Sequence, residues 1–113
     1  MHLAGFWEFP GGKREMGESF EDCLRRELFE ELSVRVHEPA LFRVIRHAYG
    51  EKTVELHFYH CAIEEGQPAP LDCAEIRWVL PEELSQFTFP PADQPVIDAL
   101  QEQTRGHRDE NRS

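Results

Sequence analysis

Glu27, Glu30 and Glu31 stand three and four residues apart in a stretch whose apolar residues recur with helical period. On a helix, positions i, i+3 and i+4 share a face, so the three carboxylates converge on one flank, beside the stripe Phe20, Leu24, Leu28 and Leu32. Each like-charge pair costs about 0.2–0.5 kcal/mol on an exposed helix. All three also lie toward the helix C-terminus, where the macrodipole disfavours negative charge. A helix shaped only for stability has no use for this arrangement. Divalent cations turn the repulsion into attraction, and a donor set made only of oxygen favours Mg2+ or Mn2+ over zinc. Ions held there can neutralise phosphate oxygens, place a water in line with a phosphorus and lower its pKa until a glutamate takes its proton.

Several elements must position these groups. Ser19 and Asp22 fit a capping box, so the helix is expected over residues 20–32. Ahead of it, Gly11-Gly12 supplies a turn that tolerates positive φ and close backbone approach. Arg26 is expected to pair with one of the carboxylates. Residues 41–47 and 53–63 read as strands joined at Tyr49-Gly50-Glu51 as a hairpin, and 75–80 (EIRWVL) as a further strand, followed by a short helix opened by Pro81. The loop 64–74 has the length of a lid or ligand arm. Asp93 suits the N-cap of a last helix with Val96, Ile97 and Leu100 inward, and beyond Gln101 little remains to bury. His57 and His60 fall on opposite strand faces without a metal-site pattern and are given no role.

A chain of 113 residues is one domain, set here at 1–104 with a disordered tail at 105–113. With 22 acidic and 12 basic residues the net charge is −10, which repels a nucleic acid polymer but not a small polyphosphate bridged by cations. Cys23, Cys61 and Cys73 are odd in number and unpaired in spacing, against a disulfide framework or a cysteine zinc site. No stretch approaches the roughly 20 apolar residues of a membrane span. A soluble cytoplasmic protein, monomer or homodimer, is the expectation.

The residues 12–34, GKREMGESFEDCLRRELFEELSV, resemble the signature of the Nudix hydrolases: Gly, five residues, Glu, seven residues, Arg-Glu, an aliphatic, one residue, Glu-Glu, one residue, Gly, an aliphatic. Gly12, Glu18, Arg26, Glu27, Leu28, Glu30, Glu31 and Val34 fill it, and Ser33 stands where the pattern has glycine. The resemblance implies an α+β Nudix fold, a mixed sheet packed between helices as an α/β/α sandwich. It places Glu27, Glu30 and Glu31 as metal ligands with the Gly11 carbonyl, and Glu18 and Arg26 as orienting groups. Glu27 is taken as the general base, with Glu30 beside it. A left-handed Ser33 costs about 1–2 kcal/mol.

WEFPGGKREMGES and FPPADQPVIDAL, at opposite ends of the chain, look like the MutT-type branch. Its members hydrolyse nucleoside triphosphates to monophosphate and pyrophosphate; one removes 8-oxo-dGTP and a relative prefers CTP. The implied activity is nucleotide-pool sanitation. In that branch an acidic loop residue before a strand tryptophan joins the metal site, which here is Asp72, with Glu75 as fallback. Asp93 is expected to read the base: an ionised aspartate only accepts, where an asparagine both donates and accepts. Phe9 and Tyr49 are candidates to flank the base and Lys13 to bind the substrate.

Members of the family usually carry further residues before this point, forming the first strands of the sheet, and without them an edge is exposed. A start assigned too late is the favoured expectation, with a fragment or a sheet-sharing dimer as alternatives. The competing function is a noncatalytic nucleotide- or partner-binding domain. A calcium-binding module lacks the required loop.

Overall fold

The computed structural model describes residues 6–71, 73 and 75–111, and side chains as far as Arg105. Their order is helix α1 (Phe20–Leu32), strands β1 (Arg35–Tyr49) and β2 (Lys52–Glu65), two 3-10 segments (Pro81–Gln86 and Pro91–Asp93), and helix α2 (Gln94–Asn111). The arrangement is α+β. The strands pair as an antiparallel hairpin, and among the described residues the sheet has these two strands. Gly50 turns the chain at φ +57°, the left-handed value that a tight primed hairpin turn requires. No described helix is long and apolar enough to cross a membrane.

The chain divides into two compact units. The first comprises Phe9–Val44 and His57–Arg77. Here α1 forms over the expected residues, with the Ser19 hydroxyl accepting from the Asp22 N–H at 3.0 Å. Three members of its apolar stripe do what the spacing predicts, while Phe20 stacks on His57 instead. Leu28, Val34 and Val36 are buried together, and Leu24 and Leu32 pack on them. At the other end, Ser33 adopts φ 61°, and its N–H donates to the Phe29 carbonyl at 3.0 Å. Two more terminal carbonyls are satisfied from the loop after β2: Ala69 N–H donates to Leu32 and Leu71 N–H to Glu31, both at 3.0 Å. Gly66 makes this docking possible, because a Cβ there would stand 2.6 Å from the Ser33 carbonyl oxygen. The loop expected as a lid is therefore tied down as far as Leu71.

The second unit takes in the chain up to Glu8, Ile45–Leu56 and the part from Trp78 onward. Leu84, Ala92, Val96 and Ile97 are buried here. Trp7 packs edge-on against Phe87, and its backbone N–H donates to the Thr88 carbonyl at 2.8 Å. Gln101 Nε2 ties α2 to the first 3-10 segment through the Pro81 carbonyl (3.2 Å) and Ser85 Oγ (2.9 Å). The helix continues to Asn111, past the point where the apolar pattern stops.

One expectation is corrected. Residues 75–80 form no strand, and Trp78 is 78% exposed. A strand exists only through hydrogen bonds to a neighbour, and among the described residues neither β1 nor β2 takes a third strand.

Candidate functional site

The loop from Gly11 to Glu18 folds over the inner flank of α1 and is fastened there by one side chain. Arg26 donates from Nε to Glu18 Oε2 at 2.7 Å and from Nη2 to Glu18 Oε1 at 3.0 Å, a two-pronged fork. Nη2 also reaches the Lys13 carbonyl at 3.2 Å. The third nitrogen, Nη1, lies 2.9 Å from Glu27 Oε1 and 3.3 Å from Glu30 Oε2. The electrostatics follow. The Arg26 fork, helped by the Glu15 backbone N–H at 3.0 Å, holds the Glu18 carboxyl down at about 2. Hydrogen bonding to Glu18 in turn raises Arg26 above the ordinary arginine value.

At Gly12 the loop backbone approaches a side chain closely. A Cβ at this position would overlap the Glu27 carboxylate, standing 2.6 Å from Oε1. The missing side chain thus lets the loop backbone lie directly on Glu27, whose side chain is 16% exposed against 57% for Glu30. Gly11 N–H donates to Glu31 Oε2 at 3.3 Å.

The structure therefore brings together Gly11, Gly12, Lys13, Glu18, Arg26, Glu27, Glu30 and Glu31. It does so by a finer division than helical spacing suggests: Glu27 and Glu30 meet at one guanidinium nitrogen, while Glu31 turns to the loop backbone. Among the described residues no group of three His, Cys, Asp or Glu side chains gathers at one point. Like charges avoid each other, and Arg26 and the Gly11 N–H are the nearest donors. The donor set still suits a hard divalent ion in kind, since Glu27 and Glu30 present carboxylate oxygens to a single cationic nitrogen. Asp72 lies outside the described residues. Glu75, the fallback, is paired with Arg77 at 3.2 Å.

The base-binding candidates fall in both units. Phe9, in the first, packs edge-on against Phe58 with centroids 5.7 Å apart. Tyr49, in the second, is half exposed and lies edge-on to His47 at 4.5 Å. Asp93, also in the second, ends the 3-10 segment that leads into α2. Burial raises its carboxyl above the usual range and the charge of Glu8 adds to this, while His47 opposes it.

Some participants carried no motif. Cys23, buried three residues before Arg26, donates to the Gly12 carbonyl at 3.7 Å and accepts from Arg26 at 3.9 Å. Burial pushes its thiol up, which keeps it neutral. His57, given no role, stacks on Phe20 at 3.7 Å, and Arg14 covers that same ring at 4.1 Å. The helical i, i+3 offset of Cys23 from Arg26 was the one signal available for the thiol.

A family profile described as NUDIX domain matches residues 1–99. The chain belongs to the Nudix family. It is 35% identical over 99 residues to the 8-oxo-dGTP diphosphatase of Escherichia coli K12, covering 88% of this chain and 77% of that protein. With the CTP pyrophosphohydrolase of the same organism it shares 33% over 97 residues, 86% of this chain and 72% of the relative. Among solved structures, a MutT from the Aliivibrio salmonicida and Vibrio cholerae pair superposes with a TM-score of 0.75 at 35% identity, covering 84% of this chain and 77% of that one. The solution structure of the E. coli ORF135 protein gives 0.76 at 31%, over 89% and 72%. This Nudix chain therefore has the Nudix fold, and with the family goes a pyrophosphohydrolase that works on nucleotides with divalent metal ions.

Proposed function

We propose that the chain hydrolyses a nucleoside triphosphate, ordinary or oxidised, to the monophosphate and pyrophosphate with Mg2+ or Mn2+, and so removes unwanted nucleotides from the pool. One observation carries the reading: Arg26, anchored on Glu18, presents Glu27 and Glu30 side by side under the glycine loop. Glu27, Glu30 and Glu31, with the Gly11 carbonyl, are the groups suited to hold the metal. A metal ion bound there supplies charge neutralisation at the phosphate oxygens and a more acidic water.

The chain's own residues do the rest. Glu27 takes the proton of the attacking water as the water oxygen bonds to one phosphorus of the α–β bridge; the bridging P–O bond breaks, and the bridging oxygen leaves with the other phosphorus, giving nucleoside monophosphate and pyrophosphate. Glu18 and Arg26 fix where that carboxylate stands, and Gly12 lets the loop backbone close on it. Lys13 meets the phosphates. Asp93 is the candidate to read the base, and Phe9 and Tyr49 are the aromatic candidates for contact with it. The names of the similar enzymes, 8-oxo-dGTP diphosphatase and CTP pyrophosphohydrolase, set the substrates to try first.

The test is pyrophosphate release from a panel of ordinary and oxidised triphosphates, with and without Mg2+. Glu27→Gln and Glu30→Gln should abolish turnover while leaving the circular dichroism unchanged; full activity in both sinks the assignment. Asp93→Asn should reorder the panel rather than slow every member equally. Nucleotide binding without turnover by the unaltered chain would return the noncatalytic reading.

A further inference from the structure

Arg26 offers its guanidinium to two sets of acids. Nε and Nη2 fork onto Glu18, and Nη2 is further held by the Lys13 carbonyl. Nη1, on the free edge, contacts Glu27 and Glu30, the carboxylates that the function proposed above gives to a divalent cation. A cation at that pair and Nη1 are like charges competing for the same oxygens. The fork uses other nitrogens and can persist. A third acid is already in place: Glu15 Oε1 lies 3.7 Å from Nη1, too far for a hydrogen bond. Its backbone N–H is bonded to Glu18 Oε1 at 3.0 Å, so Glu15 is fixed to the same anchor as the guanidinium. Its side chain is 70% exposed.

We propose that Glu15 is a positioning residue: when a divalent cation takes Glu27 and Glu30, Arg26 pivots on its Glu18 fork and passes Nη1 to Glu15. The inference rests on the metal reading of the site. Glu15 lets the arginine stay as the loop's fastener in both states, instead of opposing the incoming ion from between its ligands. Its carboxylate is reached through Arg26 and touches no substrate.

Two measurements on the whole chain test this. Mn2+ is titrated by calorimetry into the unaltered protein, Glu15→Gln and Asp22→Asn; the last removes the same charge from an exposed carboxylate that pairs with Arg25 instead. In parallel, the Arg26 side-chain 1H–15N signals, identified by their loss in Arg26→Lys, are followed through a Mg2+ titration. In the unaltered protein the Nε–H signal should hold its position while the Nη1 signal moves to a new one, and in Glu15→Gln that new position should not be reached. Mn2+ binding should weaken about twofold to fivefold in Glu15→Gln, the span of one exposed ion pair, and less in Asp22→Asn. Equal weakening in both variants would reduce the effect to net charge and overturn the proposal, as would an Nη1 signal indifferent to saturating Mg2+. Absence of any binding heat in all proteins removes the metal reading itself, and this inference with it.

Discussion

Residues 11–32 and residues 75–80 carry comparably strong local patterns, yet only the first becomes what its pattern describes. The N-cap and the Ser33 turn of α1 close their hydrogen bonds within or beside the segment, only its last two carbonyls, Glu31 and Leu32, drawing on Leu71 and Ala69, and the glycine loop bonds Glu31, 20 residues away. EIRWVL alternates as a strand should, but a strand must borrow its hydrogen bonds from another. The described sheet ends at two strands, so Trp78 and Leu80 remain largely exposed. Local closure decides which patterns the chain can realise by itself.

The contrast is open to a direct attack. Leu28 is 4% exposed in the core under α1, and Leu28→Ala should cost about 2–5 kcal/mol of unfolding free energy by urea denaturation. Trp78→Ala, at a far larger side chain, should change stability by no more than about 0.5 kcal/mol. A Trp78→Ala loss as large as that of Leu28→Ala would show the segment packed in solution and erase the difference between the two regions.

Within the first region, the close approach of loop to helix can be tested at one atom. Gly12→Ala sets a Cβ into the Glu27 carboxylate. The loop or the carboxylate must shift, and a displacement on the order of 1 Å at a catalytic group reduces kcat/KM by about a hundredfold. The measurement is pyrophosphate release, with the urea midpoint as a check that the fold survives. Gly11→Ala meets nothing within 4 Å but sits at φ +143°, so its damage should come through backbone strain and appear in stability.

Legibility in the sequence follows the same division. The bounds of α1, the hairpin and its turn, the acidic flank and the Arg26 pairing were readable because each depends on spacing along one element. The split of the glutamates was not. Helical offset puts Glu27, Glu30 and Glu31 on one flank, but which carboxylate faces Arg26 and which the Gly11 N–H depends on where the loop folds back. Cys23 beneath Gly12 and the capping of Glu31 and Leu32 by Leu71 and Ala69 were invisible for the same reason: a donor distant in sequence meets an acceptor that no pattern marks. The strand expected at 75–80 failed from the opposite cause, a pattern without a partner.

Ser33 gives a smaller effect in the other direction. It ends α1 at φ 61° where the family pattern has glycine, a conformation costing about 1–2 kcal/mol outside glycine. Glycine's greater freedom in the unfolded chain offsets about 0.5–1 kcal/mol of that. Ser33→Gly should therefore stabilise the protein by about 0.5–1 kcal/mol in urea. A loss of stability would mean that the C-terminal turn of α1 relaxes in solution.

The smallest expected signal concerns the fork that closes the region. Glu18 has a folded pKa of about 2 against 4.5 for the free group, with the Arg26 bond as the main cause and the Glu15 N–H next. The folded state thus releases the proton more readily than the unfolded one, so stability from this group is complete above 4.5 and disappears as pH falls from 4.5 toward 2. Other carboxylates titrate over the same range, so the informative quantity is the difference between the unaltered protein and Glu18→Gln, measured as urea midpoints at intervals across that window. The unaltered protein should lose stability more steeply. Because the pair borders solvent, added salt should shrink the gap. Parallel profiles would mean that Arg26 does not hold Glu18 in solution. The loop would then lack its fastener, and the local closure that separates residues 11–32 from residues 75–80 would no longer distinguish them.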